Sequence, residues 1–173
     1  KDHGWKPHVG NAVAYSMAGP DPNRIEFNVT AGGAAYLPRA IPAQCKYFDV
    51  SIRFLTKLPN ASIQLLGMDL VNAEGGIAQL MGIVLSPSGL LATSVGAFTL
   101  YGDVQTNDKD FTKPRVLRTR FDRYGTIWAS IDDPNVVPLF QPPMATDWHF
   151  TDLRVGAPAA DVDATMVLSS VSL

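Results

Sequence analysis

A chain of 173 residues is long enough to bury most of its apolar surface in the core of one domain. Hydrophobic residues make up 46% and charged residues 17%, which excludes a disordered tail and a charge-stabilised helical protein. The net charge of −2 gives no reason to expect a nucleic-acid partner. Glu is confined to Glu26 and Glu74 whereas Asp is frequent, and this bias favours turns over helix interiors.

The cysteine content and the hydropathy pattern exclude two further classes. The single Cys45 excludes an internal disulfide framework, so stability has to come from the core. No apolar run approaches membrane-spanning length, so no membrane insertion is expected. Because the chain begins at Lys1 rather than Met, we expect a piece of a larger polypeptide. Residues 1–10 lack periodicity and are predicted to be an N-terminal arm or lead-in, and 11–173 are predicted to be a single domain.

Short strands punctuated by turn residues follow one another along the chain. The predicted strands of the first two thirds are 11–17, 24–29, 33–38, 46–55, 62–71, 76–85, 90–95 and 97–104. The clearest is 46–55, where Phe48, Val50 and Ile52 alternate with Asp49 and Ser51. Strict alternation predicts one face on the core and one face in water.

The stretch 115–133 predicts a complete β-hairpin. Period-two alternation flanks a short polar connection that contains Gly125, as expected for two paired antiparallel strands. The residues predicted to face inward are Leu117, Thr119, Phe121, Ile127, Ala129 and Ile131. The residues predicted to face outward are Arg118, Arg120, Trp128 and Asp132. This outer side is either a solvated strand face or a surface that contacts a partner.

The last third of the chain continues the same pattern. Residues 134–144 hold four Pro and are expected to form an extended rim segment, and 150–155 and 166–173 are predicted strands. A helix is an alternative for 77–85, but the flanking turns contradict it, and no other segment predicts a helix. Regular short strands without intervening helices indicate an all-β, antiparallel sandwich or barrel.

The order of these elements resembles the concanavalin A-like jelly-roll sandwich, as in laminin-G-type and other lectin-like modules. The resemblance rests on the strand FDVSIRF at 48–54, the unit IWASIDD at 127–133, the strand-plus-Gly at 153–156 and an apolar closing strand. It covers roughly residues 45–173. It implies an antiparallel β-sandwich with little or no helix.

Domains of the fold that this chain resembles occur as lectins, as non-catalytic modules of glycan-active enzymes, and as receptor-binding ends of phage tail fibres and tailspikes. We therefore expect a non-catalytic module that binds cell-surface glycan or another receptor. The expected setting is a viral or phage adhesion protein at the virion or extracellular surface, with a homotrimer as the expected oligomer. One alternative is a structural or assembly domain such as a capsid projection. The other is a polysaccharide-cleaving enzyme with an unrecognised site.

Aromatic and polar residues near loops are the candidates for ligand binding. Trp128 and Trp148 offer flat surfaces for stacking on sugar rings, although Trp128 could instead be covered by a loop. The polar candidates are Tyr101, Asp103, Asn107, Asp147 and His149. The first three lie near one polar loop, where they would hydrogen-bond sugar hydroxyls, ligate Ca²⁺ or simply be solvated.

No catalytic, metal or cofactor motif is present. The Glu-x-Asp-x-x-Glu type motif of the glucanases that share the resembled fold is missing, and neither Glu has a suitable carboxylate beside it. The three His lack metal-ligand spacing, and no Asp-x-Asp-x-Asp-Gly pattern occurs. We therefore assign no catalytic or metal-binding residue and expect no cofactor.

Overall fold

The computed structural model describes 118 of the residues, almost all of them in strands and short connections. The described residues are 8–9, 13–17, 25–29, 32, 34–42, 47–57, 62–71, 74, 76–95, 99–106, 110–122, 126–140, 149–157 and 164–172. Within these ranges the chain forms fourteen β-strands and no helix. This agrees with the strand-rich, helix-free pattern of the sequence.

The strand bounds follow the predicted segments closely. In chain order the strands are β1 (His8–Val9), β2 (Val13–Met17), β3 (Ile25–Val29), β4 (Ala35–Arg39), β5 (Tyr47–Lys57), β6 (Ile63–Val71), β7 (Ile77–Leu85), β8 (Leu90–Val95), β9 (Thr99–Gln105), β10 (Arg115–Asp122), β11 (Ile127–Ile131), β12 (Val137–Phe140), β13 (His149–Ala157) and β14 (Ala164–Ser172). The rim segment predicted at 134–144 contains β12. At the end of the 1–10 segment, β1 pairs with β4.

The strands form two seven-stranded sheets that pack as a sandwich. The first sheet has the order β1-β4-β13-β6-β7-β8-β9, and the second has the order β12-β11-β10-β5-β14-β3-β2. Every strand pairing between described residues is antiparallel. The prediction of an all-β, antiparallel sandwich is confirmed.

The core lies between the two sheets and is largely aliphatic, and it includes an aromatic cluster. Phe48 and Phe121 of the second sheet stack with 4.8 Å between their ring centroids. Phe150 of the first sheet meets the edge or face of both, with centroid distances of 6.2 Å to Phe48 and 5.8 Å to Phe121. Such edge-to-face and stacked pairs are favourable arrangements for aromatic rings. The cluster therefore ties the two layers together.

The predicted hairpin at 115–133 is present with the expected inner and outer faces. β10 and β11 pair in antiparallel register, with Leu117 opposite Ile131 and Phe121 opposite Ile127. Leu117, Phe121 and Ile127 are fully buried, and Ala129 is as well. Because neighbouring residues of a strand point to opposite sides, the intervening Arg and Trp side chains lie on the outer face.

The end of the sheet beside this hairpin is an edge strand that carries a proline. Pro138 in β12 is paired in register with Trp128. Proline lacks a backbone donor and is tolerated at such edges, where it also discourages pairing with another chain. β12 lies against β9, so the edges of the two sheets meet on this side of the sandwich.

Candidate functional site

The outer face of the second sheet carries a row of three side chains from three adjacent strands. Arg120 of β10 is in register with Trp128 of β11 on one side and with Asp49 of β5 on the other. All three lie opposite the buried positions of their strands, since Val50, Phe121 and Ala129 are buried. The core alternation thus forces this row to the outside of the sandwich.

Arg120 and Asp49 form an exposed, two-pronged ion pair. Arg120 donates from Nε to Oδ1 of Asp49 at 2.9 Å and from Nη2 to Oδ2 at 3.5 Å. The Arg120 and Asp49 side chains are 55% and 65% exposed. The hydrogen bond and then the charge of Asp49 raise the pKa of Arg120. Ion pairs this exposed contribute little to stability, so the core does not require this one.

Two aromatic side chains flank the ion pair. Tyr47 is 65% exposed, which is unusual for a large side chain. Trp128 is half-buried, and with Tyr47, Asp49 and Arg120 it lines an open depression of about 730 Å³. We call these four residues the Trp128 surface. It combines apolar faces with a guanidinium donor and a carboxylate acceptor.

A smaller depression adjoins the Trp128 surface across the ion pair. It measures about 300 Å³ and is lined by Asp49 and Arg120 together with Ser51, Arg118, Pro134 and Val136. We call the last four residues the Ser51 depression. Its wall is the loop at 132–136, which is held against the hairpin by two hydrogen bonds to the Asp133 carbonyl.

Those two hydrogen bonds come from the outer side of the hairpin itself. Ser130 Oγ donates to the Asp133 carbonyl at 2.7 Å, and Arg118 Nη1 donates to it at 3.3 Å. Asp133 Oδ1 in turn accepts from the backbone N–H of Asn135 at 2.8 Å. The loop wall is therefore positioned by the same strands that carry Trp128 and Arg120.

A second charged cluster lies on the outer side of the first sheet and is much more enclosed. Arg154 Nη2 donates to Asp69 Oδ2, and the guanidinium lies 5.4 Å from the centroid of the Tyr36 ring. The Asp69 side chain is 8% exposed and that of Arg154 is 24% exposed. Burial raises the pKa of Asp69, and the charge of Arg154 opposes that rise. An ion pair enclosed in this way is suited to linking strands rather than to forming an exposed binding surface.

The backbone beside this cluster is irregular. The register of β13 against β6 shifts between Thr151 and Arg154, and Asp152 has φ of 44°. A bulge of this kind bends the strand and re-aims the side chains next to it. The sequence analysis did not single out Asp69 or Arg154 as a pair. The sequence feature that could have identified Asp69 was a charged residue within the largely apolar strand β6.

The ligand-binding residues predicted from sequence are spread over both sheets. Trp128 lies on the outer face of the second sheet, and Tyr101 and Asp103 lie on β9, whose edge meets β12. His149 begins β13, the third strand of the first sheet. For these three residues the structure describes only the strand position. The remaining candidates, Asn107, Asp147 and Trp148, lie outside the described residues.

Sequence reasoning missed two members of the Trp128 surface. Tyr47 is the first residue of β5 and Asp49 is the third. Both lie on the side of the strand that is expected to face water. Residues two apart on a strand point to the same side, so the position of Tyr47 two residues before Asp49 predicts that it lies on the outer face. Their proximity to Trp128 was not visible, because β5 pairs with β10 from a distant part of the chain.

In the described ranges, no group of three or more His, Cys, Asp and Glu side chains is arranged to hold a metal ion. The same part of the chain contains no helix with the length and apolar character needed to cross a membrane.

Several solved structures are similar to this chain, whereas no family model matches it and a search of the curated proteins finds no match. Trypanosoma rangeli sialidase superposes with a TM-score of 0.58 at 16% identity, covering 92% of this chain and 26% of the sialidase. A functionally unknown protein from Saccharomyces cerevisiae gives a TM-score of 0.57 at 10% identity, covering 97% of this chain and 94% of its own. The potassium-bound carbohydrate recognition domain of Emp46p gives 0.56 at 11% identity, with coverages of 96% and 86%.

At these identities the similarity shows the fold alone. The chain spans only about a quarter of the sialidase, with 26% of that protein covered. It spans most of the Emp46p carbohydrate recognition domain, with 86% covered. The chain therefore shares with these structures its antiparallel β-sandwich fold, as the order of its strands predicts.

Proposed function

We propose that this chain is a non-catalytic glycan-recognition module that binds sugar through the Trp128 surface. The observation that carries the proposal is the row of Trp128, Arg120 and Asp49, open to solvent beside an exposed Tyr47. A lectin-like fold supports it, because one similar structure is itself a carbohydrate recognition domain. Fold alone does not dictate function, so the site carries the argument.

Binding would use two kinds of contact on this surface. The Trp128 and Tyr47 rings would pack against the apolar C–H face of a sugar ring. The Arg120 guanidinium would donate to hydroxyl oxygens, and the Asp49 carboxylate would accept from hydroxyl groups. Both polar groups are charged, so each hydrogen bond is stronger than one between neutral groups.

The setting we propose is a viral or phage adhesion protein at a virion or cell-facing surface. An open, shallow site gives weak individual binding, and several linked copies raise the overall avidity. A homotrimeric tail fibre or tailspike would supply such copies. The partner in this proposal is a cell-surface glycan.

Replacement of Trp128 tests the proposal directly. Screening the full chain on a glycan array identifies the ligand, and calorimetric titration then compares wild type with Trp128→Ala and Trp128→Phe. Because an aromatic contact is worth about 1 kcal/mol, we expect Trp128→Ala to weaken binding roughly 5- to 10-fold. Trp128→Phe keeps a ring and should retain most of the affinity.

The control is the thermal melting of each variant, which should remain close to that of wild type because Trp128 lies outside the core. An array without any glycan binding would contradict the proposed function. Unchanged affinity in both Trp128→Ala and Tyr47→Ala would show that glycan is bound elsewhere on the molecule.

An assembly domain is the second candidate, and one observation favours it. Val137 on the edge strand β12 is 39% exposed, one strand away from Trp128. Val137 is in register with the buried Ala129, so it lies on the opposite face from Trp128, and this exposed edge would contact another subunit, as in a capsid projection. Analytical ultracentrifugation separates the two functions. A stable oligomer that Val137→Asp dissociates, with no glycan bound, favours assembly.

A further inference from the structure

We infer that the ligand is a linear oligosaccharide of at least two sugar units, bound across the Asp49–Arg120 ion pair. One unit would lie on the Trp128 surface and the next in the Ser51 depression. This inference rests on the proposed glycan-binding function and names the class of glycan that the surface takes.

The two depressions are adjoining parts of one surface. Both are lined by Asp49 and Arg120, so the ion pair forms the boundary between them. Arg118 and Arg120 are two residues apart on β10, which separates the two rows of side chains by about 7 Å. That spacing is comparable with the length of one sugar ring. Consecutive units of a linear glycan therefore match consecutive rows of the sheet.

The Ser51 depression has the features of a second sugar subsite. Ser51 of β5 is in register with Arg118 of β10, and its small side chain leaves the floor of the depression open. Pro134 and Val136 form an apolar wall on one side. The Ser51 hydroxyl and the Arg118 guanidinium supply polar groups on the floor. A flat ring with an apolar face and hydroxyl edges fits this combination.

The Asp49–Arg120 ion pair supplies donors and acceptors at the boundary between the two depressions. Arg120 donates to Asp49 through two hydrogen bonds at 2.9 and 3.5 Å. A sugar hydroxyl group would use the remaining N–H donors of Arg120 and the Asp49 oxygens together.

The test measures affinity against chain length. The probes are the oligosaccharides of the array, from one to six units. For wild type we expect affinity to rise about 10-fold or more between one unit and two or three units.

Two variants separate the subsites. Ser51→Trp fills the smaller depression, so it should abolish the gain with chain length while leaving single-sugar affinity within about twofold of wild type. Ser51→Ala keeps the depression open and serves as the matched control, with most of the gain retained. If Ser51→Trp does not fold, Arg118→Ala, which removes the floor of the same depression, should reduce the gain as well.

The outcomes distinguish this inference from the function on which it rests. Affinity that is independent of chain length would overturn the inference and leave glycan recognition standing. Absence of binding to every glycan would overturn both.

Discussion

Two buried threonines of this sandwich hydrogen-bond to neighbouring strands. Thr119 Oγ1 donates to the Val50 carbonyl at 3.1 Å, and Thr56 Oγ1 donates to the Thr165 carbonyl at 2.7 Å. Such bonds offset the cost of removing a hydroxyl group from water. Asp69 is a buried carboxylate that pairs with Arg154 on a neighbouring strand.

Asp69 predicts a specific pH dependence of stability. Burial raises its pKa in the folded state above 3.8, so folding favours the protonated carboxyl group. The stability that Asp69 contributes is fully present below pH 3.8 and declines as pH rises through the folded-state pKa. Urea unfolding at several pH values should show that the free energy of unfolding of wild type falls relative to that of Asp69→Asn as pH rises.

Asp110→Asn is the control with the opposite sign. Hydrogen bonds from Thr112 and then from Lys113 lower the pKa of Asp110. Its contribution is therefore present above pH 3.8 and lost as pH falls through the folded-state pKa. Equal slopes for the two pairs of curves would contradict the assignment of Asp69 as a carboxylate whose burial outweighs its ion pair.

Asp132, the residue after β11, links the end of the β10–β11 hairpin back to the start of β10. Asp132 has φ of 60°, a left-handed conformation that Asp and Asn tolerate better than most residues. Its Oδ1 accepts from the backbone N–H of Val116 at 2.9 Å, and its own N–H donates to the Val116 carbonyl at 2.9 Å. Its Oδ2 pairs with Arg115 at 2.8 Å. This element therefore ends in a side-chain clasp that also sets the start of the 132–136 loop.

Substitution of Asp132 tests the clasp. Asp132→Ala removes both side-chain contacts and leaves the left-handed backbone in place, so we expect a loss of about 1–2 kcal/mol in the free energy of unfolding. Asp132→Asn keeps the acceptor for Val116 and the tolerance of positive φ, and should cost about half as much or less. Urea unfolding measures both. Equal losses would show that the charge, rather than the acceptor, matters.

On the scale of the whole molecule, stability depends on how the two sheets meet. Phe121 and Phe48 from one layer contact Phe150 from the other. Phe121 is fully buried, whereas Tyr47 on the outer face of the same sheet is 65% exposed. The inner face therefore holds the sandwich together, and Tyr47 on the outer face is exposed to solvent.

Paired substitutions on the two faces test this division. Phe121→Ala should lower the free energy of unfolding by about 3–5 kcal/mol, because it leaves a cavity between the layers. Phe121→Leu should cost less, since most of the volume remains. Tyr47→Ala should change stability by about 0.5 kcal/mol or less. A Tyr47→Ala loss comparable with that of Phe121→Ala would show that the Trp128 surface is part of the structural framework.

The alternating pattern within 115–133 was enough to predict a hairpin, its inner residues and the outward position of Trp128. Burial of apolar side chains with a period of two is a local property, readable wherever one face of a strand is dry. The same reasoning predicted the all-β class from the absence of any helical period. It could not place Asn107, Asp147 or Trp148 relative to Trp128, since loops carry no such period.

Contacts between distant strands were decided by the tertiary structure alone. Asp49 meets Arg120 across 71 residues of chain, and Arg154 meets Asp69 across 85. Which strands become neighbours depends on how both sheets bury their apolar faces together, and no local pattern encodes that choice. The sequence therefore determined which side chains face water. Tertiary pairing alone decided that Trp128, Arg120, Asp49 and Tyr47 share one surface.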